Sequence, residues 1–204
     1  MPHAVLEFWF DFASTYSYPA AMRIGALAAE ASVAVRFRPF LLGPIFQAQG
    51  WESSPFNVYP AKGRYMWRDL ERLCAELGLP FRKPEPFPQH SLLAARVALY
   101  ALAHAWGEDF CRALLRAEFG DGARIDDPTT VAGVLKDLRV DTAPALAAAQ
   151  SNAIKAQLRA QTEDAQRRGI FGAPSFVTAD GELFWGNDRL ETALRWANRG
   201  GDPR

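Results

Sequence analysis

Residues 5–20, Val-Leu-Glu-Phe-Trp-Phe-Asp-Phe-Ala-Ser-Thr-Tyr-Ser-Tyr-Pro-Ala, constrain the fold more than any other stretch of this chain. The segment opens on a run of large apolar residues rich in aromatics, the pattern of a buried strand. It then turns through small polar residues into Ala20–Leu27, which reads as a helix. Pro19 falls in the first helical turn, where its missing N–H costs nothing. Ser14 is therefore expected beside a helix N-terminus, near unpaired backbone N–H groups and the positive end of a dipole. Two roles are open there to Ser14, Thr15 and Ser17. They can cap the helix, which the residue types alone favour, or the place can hold an anion such as a thiolate.

In Ser32–Leu42, Val33, Val35 and Phe37 alternate with Ala34, Arg36 and Arg38, the period of a strand. Strand, helix and strand at this spacing predict a βαβ unit with a right-handed crossover. Residues 43–61 carry Pro44, Pro55, Pro60, Gly43, Gly50 and a Ser-Ser pair, and predict a long ordered loop. Its aromatics, Phe46, Trp51, Phe56 and Tyr59, suit either a binding loop or a loop packed on the body.

From Lys62 the pattern is helical. Met66, Leu70, Leu73 and Leu77 define one helix face closed by Gly78 and Pro80. Phe81–Gln89, with Pro84, Pro86 and Pro88, must be extended. Ser91–Trp106 predicts an apolar helix ended by Gly107, and Glu108–Phe119 another. Asp127-Pro128 is an N-cap and first-turn pair for Thr129–Leu138. Ile154, Leu158, Thr162 and Ala165 line a last long helix that ends at Gly169.

The period then returns to that of a sheet. Ser175–Thr178 and Glu182–Trp185 flank Ala179-Asp180-Gly181, a hairpin signal, and Gly186 breaks the second strand. Asp188-Arg189-Leu190-Glu191 reads as an acidic capping box opening a final helix through Leu194 and Ala197. The order βαβ, helices, ββα predicts an α/β protein with a thioredoxin-like fold and an all-helical domain inserted in its middle. Residues 1–61 and 169–204 would form the discontinuous thioredoxin-like domain and 62–168 the insertion. Pro174 stands where that fold has a cis-proline facing the first helix, and proline is the residue type that adopts cis at modest cost.

Charge excludes several classes of partner. Lys+Arg and Asp+Glu balance at 23 each in 204 residues, so no global field directs the protein to nucleic acid or to an anionic membrane. No stretch approaches the roughly 20 apolar residues of a membrane span. Met1-Pro2-His3-Ala4 lacks the basic start of a secretory signal. Cys74 and Cys111 form neither a C-x-x-C nor a metal spacing and read as two reduced structural thiols. A cytoplasmic protein is expected. His3, His90 and His104 have no ligand spacing, so no metal is expected.

Four segments carry a resemblance: Phe10-Asp11-Phe12-Ala13-Ser14-Thr15-Tyr16-Ser17-Tyr18, Pro60-Ala61-Lys62-Gly63-Arg64-Tyr65-Met66, Phe171-Gly172-Ala173-Pro174-Ser175-Phe176, and Phe184-Trp185-Gly186-Asn187-Asp188-Arg189-Leu190. Together they resemble the 2-hydroxychromene-2-carboxylate isomerases, a family akin to the kappa-class glutathione transferases and the DsbA-like oxidoreductases. The resemblance runs the length of the chain, and Trp-Gly-Asn-Asp-Arg-Leu is its most specific piece. It departs at Thr15, where the family usually has proline.

The resemblance implies a glutathione-dependent isomerase interconverting 2-hydroxychromene-2-carboxylate and trans-o-hydroxybenzylidenepyruvate, or a related aromatic-degradation intermediate, by reversible thiolate addition. A redox relative would carry Cys-x-x-Cys where this chain has Ser14-Thr15-Tyr16-Ser17. Without that sulfur pair no disulfide exchange runs there. By the resemblance, Ser14 is the catalytic residue and donates to the glutathione thiolate. Ala173, before the cis Pro174, would pair with the cysteinyl backbone. Asn187 and Asp188 would take the γ-glutamyl end, Asp188 also being placed to cap its helix. Lys62 would meet a carboxylate, and Asn57, in competition with Ser53, would reach the aromatic keto-acid substrate. A homodimer is the expected assembly. Two other readings stand: a kappa-class-like glutathione transferase or peroxidase that consumes glutathione, and a non-catalytic thioredoxin-fold binding protein that would show no glutathione affinity.

Overall fold

The computed structural model describes residues 4–199, so His3 lies outside the described residues. Strand β1 (Ala4–Phe10) leads into helix α1 (Ser17–Glu30) and returns in β2 (Val33–Pro39), which pairs with β1 in parallel. Near the C-terminal end, β3 (Ser175–Thr178) and β4 (Leu183–Trp185) form the antiparallel hairpin, with Gly181 at φ 88° in its turn. The sheet order is β2-β1-β3-β4, with β3 antiparallel to β1.

β1 is apolar throughout because both of its faces are covered. Leu6, Phe8 and Phe10 belong to the main core, whereas Trp9 joins Phe40, Ile45, Ala165, Ile170 and Val177 on the other face. Phe8 packs between its register partners, with ring centroids 5.1 Å from Phe37 and 5.6 Å from Phe176. Glu7, the one charged residue of the strand, is neutralised by Arg38 at 2.6 Å and Arg168 at 3.2 Å.

Between β2 and β3 the chain is helical. Residues 43–61, expected as a loop, instead contain α2 (Leu42–Ala48) and α3 (Pro55–Val58), and α4 (Pro60–Glu76) follows directly. Local signals hid α2 because the donor at its start is satisfied from a distant segment: the Leu42 N–H donates to an Asp11 carboxylate oxygen at 2.7 Å. α5 (Leu92–Ala101) stops five residues short of Trp106, and Gly107 starts α6 (Gly107–Phe119) rather than ending a helix. A Cβ on Gly107 would stand 2.5 Å from the Ala101 carbonyl oxygen, so the tight turn between the two helices requires glycine. Then come α7 (Pro128–Asp137), capped by Asp127 as expected, α8 (Thr142–Gln150) and α9 (Asn152–Arg167). α8 escaped the sequence reading because only Ala145 and Ala149 bury, too sparse a stripe to see. The last helix, α10 (Leu190–Arg199), packs on β1, β3 and α1.

One buried cluster runs from the sheet through α1 into α6, α7 and α8, so sheet and helices share a core. Cys74 and Cys111 are free and buried in α4 and α6, and burial raises the Cys74 thiol to about 11. Among the described residues no helix is long and apolar enough to cross a membrane.

Candidate active site

The β1–α1 turn is built from backbone hydrogen bonds. Ser14 N donates to Asp11 O at 3.0 Å, and Ser17 N donates to Ser14 O at 3.1 Å. None of the hydroxyls considered as caps performs that task. The capping position of α1 is Tyr16, and it makes no side-chain cap bond. Thr15 Oγ1 donates to Met66 Sδ at 3.3 Å, and Ser17 Oγ is buried with no partner among the described residues. Ser14 Oγ turns the other way and donates to the carbonyl oxygen of Ala173 at 2.9 Å, joining residues 159 positions apart. The uncapped N-terminus of α1 thus keeps its positive end for something else.

Ala173–Pro174 is a cis peptide, as the topology predicts, and it faces this turn. The Pro174 carbonyl accepts from Gly186 N at 2.9 Å, which ties the proline loop to the Trp-Gly-Asn-Asp-Arg-Leu motif. Trp185 lies over Gly172 so closely that a Cβ there would be 2.4 Å from Trp185 Nε1. Gly186, at φ 110°, turns the chain into a short 3-10 turn, Asn187–Arg189. That turn is entered without a side-chain cap, so the capping box expected at Asp188 does not form. The Asp188 side chain is 74% exposed and only 3.5 Å from Arg189, leaving its carboxylate open to a ligand. Asn187 is buried, yet its Oδ1 has no partner among the described residues. Arg23 holds it from behind, donating to the Asn187 carbonyl at 3.3 Å while pairing with Glu191 at 2.9 Å.

Ser14, Ala173, Pro174, Asn187, Asp188 and Lys62 all line one cavity of about 1320 Å³. Lys62 forms no salt bridge among the described residues; its Nζ lies 4.9 Å over the Tyr59 ring. Asn57 does not line the cavity. Its Nδ2 donates to Ser53 Oγ at 3.2 Å and to Phe87 O at 3.3 Å, fastening the loop from behind. Ser53, its competitor, is in the wall.

Other wall residues escaped the sequence reading. Tyr16 donates its hydroxyl to Asp69 at 2.9 Å, and Asp69 also pairs with Arg72 at 3.4 Å. Burial and the Asp69 carboxylate raise the Tyr16 phenol far above its ordinary range, so it stays a donor. Two aromatic pairs complete the walls, Phe46–Trp51 at 5.6 Å and Phe171–Trp185 at 4.9 Å between ring centroids. Their aromatic character was visible in the sequence, but their convergence was not. The cavity has no cysteine in its walls, so thiol chemistry there needs a sulfur from a ligand.

A thioredoxin-type sheet, a cis-proline loop and an uncapped α1 aimed at it define the class, and the chain belongs to the DSBA-like thioredoxin domain family, whose model matches residues 5–195. Within it, the chain is 32% identical over 187 residues to the 2-hydroxychromene-2-carboxylate isomerase of Sphingobium xenophagum, covering 91% of this chain and 94% of that one. It is also 29% identical over 203 residues to glutathione S-transferase kappa 2 of Caenorhabditis elegans, covering 91% and 88%. A solved 2-hydroxychromene-2-carboxylate isomerase structure superposes with a TM-score of 0.85 at 28% identity, over 97% of each chain.

Proposed function

We propose that this protein is a glutathione-dependent isomerase of ring-opened aromatic α-keto acids, with 2-hydroxychromene-2-carboxylate and trans-o-hydroxybenzylidenepyruvate as the first pair to test. One observation carries the reading: at the uncapped N-terminus of α1, facing Ala173 and cis-Pro174, the chain presents the Ser14 hydroxyl and no thiol. The isomerase relatives support it.

The residues present fit glutathione. The orphaned Asn187 Oδ1 is an acceptor in need of a donor, which the γ-glutamyl ammonium offers, and the exposed Asp188 carboxylate adds charge complementarity. The cavity exceeds the roughly 300–1,000 Å³ that usually holds one small ligand, leaving room for tripeptide and substrate together. When bound, glutathione would supply a thiolate nucleophile for reversible addition to the conjugated double bond, the chemistry by which that bond can pass from cis to trans.

Ser14 exchanges the neutral Ala173 carbonyl for an anionic acceptor, a stronger hydrogen bond. Lowering a thiol pKa by one to two units takes about 1.4–2.7 kcal/mol. One hydrogen bond to a charged group, about 1.5–3 kcal/mol, together with the dipole of α1 supplies this. Lys62, with no carboxylate partner among the described residues, takes the acid group of the substrate, and the aromatic walls take its ring. The protein acts without membrane or nucleic acid, in the cytoplasm, as a homodimer.

The test is conversion of 2-hydroxychromene-2-carboxylate followed by absorbance, with and without glutathione, for wild type and Ser14→Ala. Turnover that needs glutathione and collapses in the variant supports the reading. The kappa-class relatives favour a second reading, a transferase, in which glutathione is consumed and a conjugate accumulates. Absence of glutathione binding would leave a thioredoxin-fold binding protein.

A further inference from the structure

Asp11, in the middle of the β1–α1 turn, is 3% exposed and is surrounded by donors. Its Oδ1 accepts from Ala13 N at 3.0 Å and from Ser91 Oγ at 2.6 Å. Its Oδ2 accepts from Leu42 N at 2.7 Å. Its backbone carbonyl accepts from Ser14 N at 3.0 Å. One residue thus fastens three walls of the cavity: the turn that carries Ser14, the first peptide of α2 on the way to Phe46 and Trp51, and Ser91 at the start of α5. Leu42 N–H belongs to the first turn of α2 and Leu41 offers no side-chain cap, so the Asp11 carboxylate does the capping from another segment.

Which form of Asp11 does this is decided by the partners. All of its side-chain contacts are with donors, which is the environment of an ionised carboxylate, and the Ser91 distance lies in the range of a charge-assisted bond. Burial raises the Asp11 pKa above the ordinary carboxylate value, and the bonds from Leu42, Ser91 and Ala13 oppose that rise. Glu118 of α6, fully buried, is a second carboxyl group whose charge is felt here. Neither of its carboxyl oxygens has a partner among the described residues, and burial with the charges of Asp11 and Asp126 raises its pKa well above the carboxylate range. Of the two carboxyl groups, Asp11 has the donors that stabilise a charge and Glu118 has none among the described residues. His90, beside Ser91, and Asp126 are the other ionisable groups of this environment.

We propose that Asp11, as a buried anion, is a positioning residue of the active site: it holds the Ser14 turn, α2 and Ser91 in register and adds a negative charge to the turn that carries Ser14. The charge keeps the bound thiolate from being overstabilised, so that it remains a nucleophile and not only a bound anion. This rests on the reading of Ser14 as the thiol-binding residue.

The experiment places a sulfur at that position in the protein itself. In a Ser14→Cys variant, the rate of alkylation by iodoacetamide against pH gives the midpoint of the thiol. Adding Asp11→Asn, which keeps the side-chain size but removes the charge and replaces one acceptor by a donor, is expected to lower that midpoint by about one unit, because a like charge near the thiolate is gone. Glutathione affinity measured by calorimetry in the Ser14 protein is expected to weaken about tenfold on Asp11→Asn, since the amide sets a donor against Leu42 N–H. A midpoint that stays in place or rises overturns the inference, whatever happens to affinity, because loss of shape alone would not move it downward. If the wild type binds no glutathione while the midpoint falls as expected, the proposed function fails and the role of Asp11 stands.

Discussion

Replacing the Ser14 hydroxyl by hydrogen removes the side-chain donor aimed at Ala173. Ser14→Ala is therefore expected to lower glutathione-dependent turnover about tenfold to a hundredfold, the worth of one charge-assisted hydrogen bond, with little change in Tm. Kinetics and a thermal melt on the same preparation check both halves. At Glu118 the prediction concerns stability. Burial and two neighbouring carboxylates raise its pKa, so the folded protein keeps a proton that the unfolded chain releases above its ordinary value of 4.5. Its cost to folding is absent below that value and grows as pH rises through it. Glu118→Gln, permanently neutral, should gain stability relative to wild type between pH 4.5 and 7, read from urea midpoints at each pH. The meeting of Ser14 with the cis-Pro174 loop was legible because both positions lie beside strand ends. The surroundings of Asp11 were not: two of the donors to its carboxylate lie 31 and 80 positions away.

At the scale of elements, patterned helices were found from their period and supported ones were not. Of the stripe read as Met66, Leu70, Leu73 and Leu77, Met66 and Leu70 bury fully, and Cys74 rather than Leu73 or Leu77 completes the buried face of α4. α2 buries only Ile45 and begins on a hydrogen bond from another segment, so no local pattern marks it. α3 is held against α4 by a close approach, in which a Cβ on Gly63 would stand 2.3 Å from the Phe56 carbonyl oxygen. Gly63→Ala is expected to push α3 outward, cost about 1–3 kcal/mol of stability, and raise the substrate KM through Ser53 more than it lowers kcat. Urea unfolding and steady-state kinetics check the two effects.

Across the whole molecule, the cavity is assembled from both ends of the chain, so a ligand that fills it links them. Under the proposed function, glutathione at about a hundred times its Kd is expected to contribute about 2.7 kcal/mol to the folded state, which for a chain of this size is a rise in Tm of about 5–10 °C. Differential scanning calorimetry checks this, and Asn187→Ala should remove most of the rise by deleting the orphaned acceptor. The strand–helix–strand order at one end and the strand–strand–helix order at the other, the apolar period of the middle, and the position of Pro174 were determined by the sequence by itself. These depend on local preference and on the spacing of apolar residues, which a linear text carries. Only the tertiary structure decided that Asn57 stands behind the wall and Ser53 within it, that Asp188 leaves its helix uncapped, and that Asp11 gathers the donors that Glu118 lacks among the described residues. Those outcomes depend on which donors and charges meet across the fold, and a hydrogen bond or a buried charge is set by distance in space and not by position along the chain.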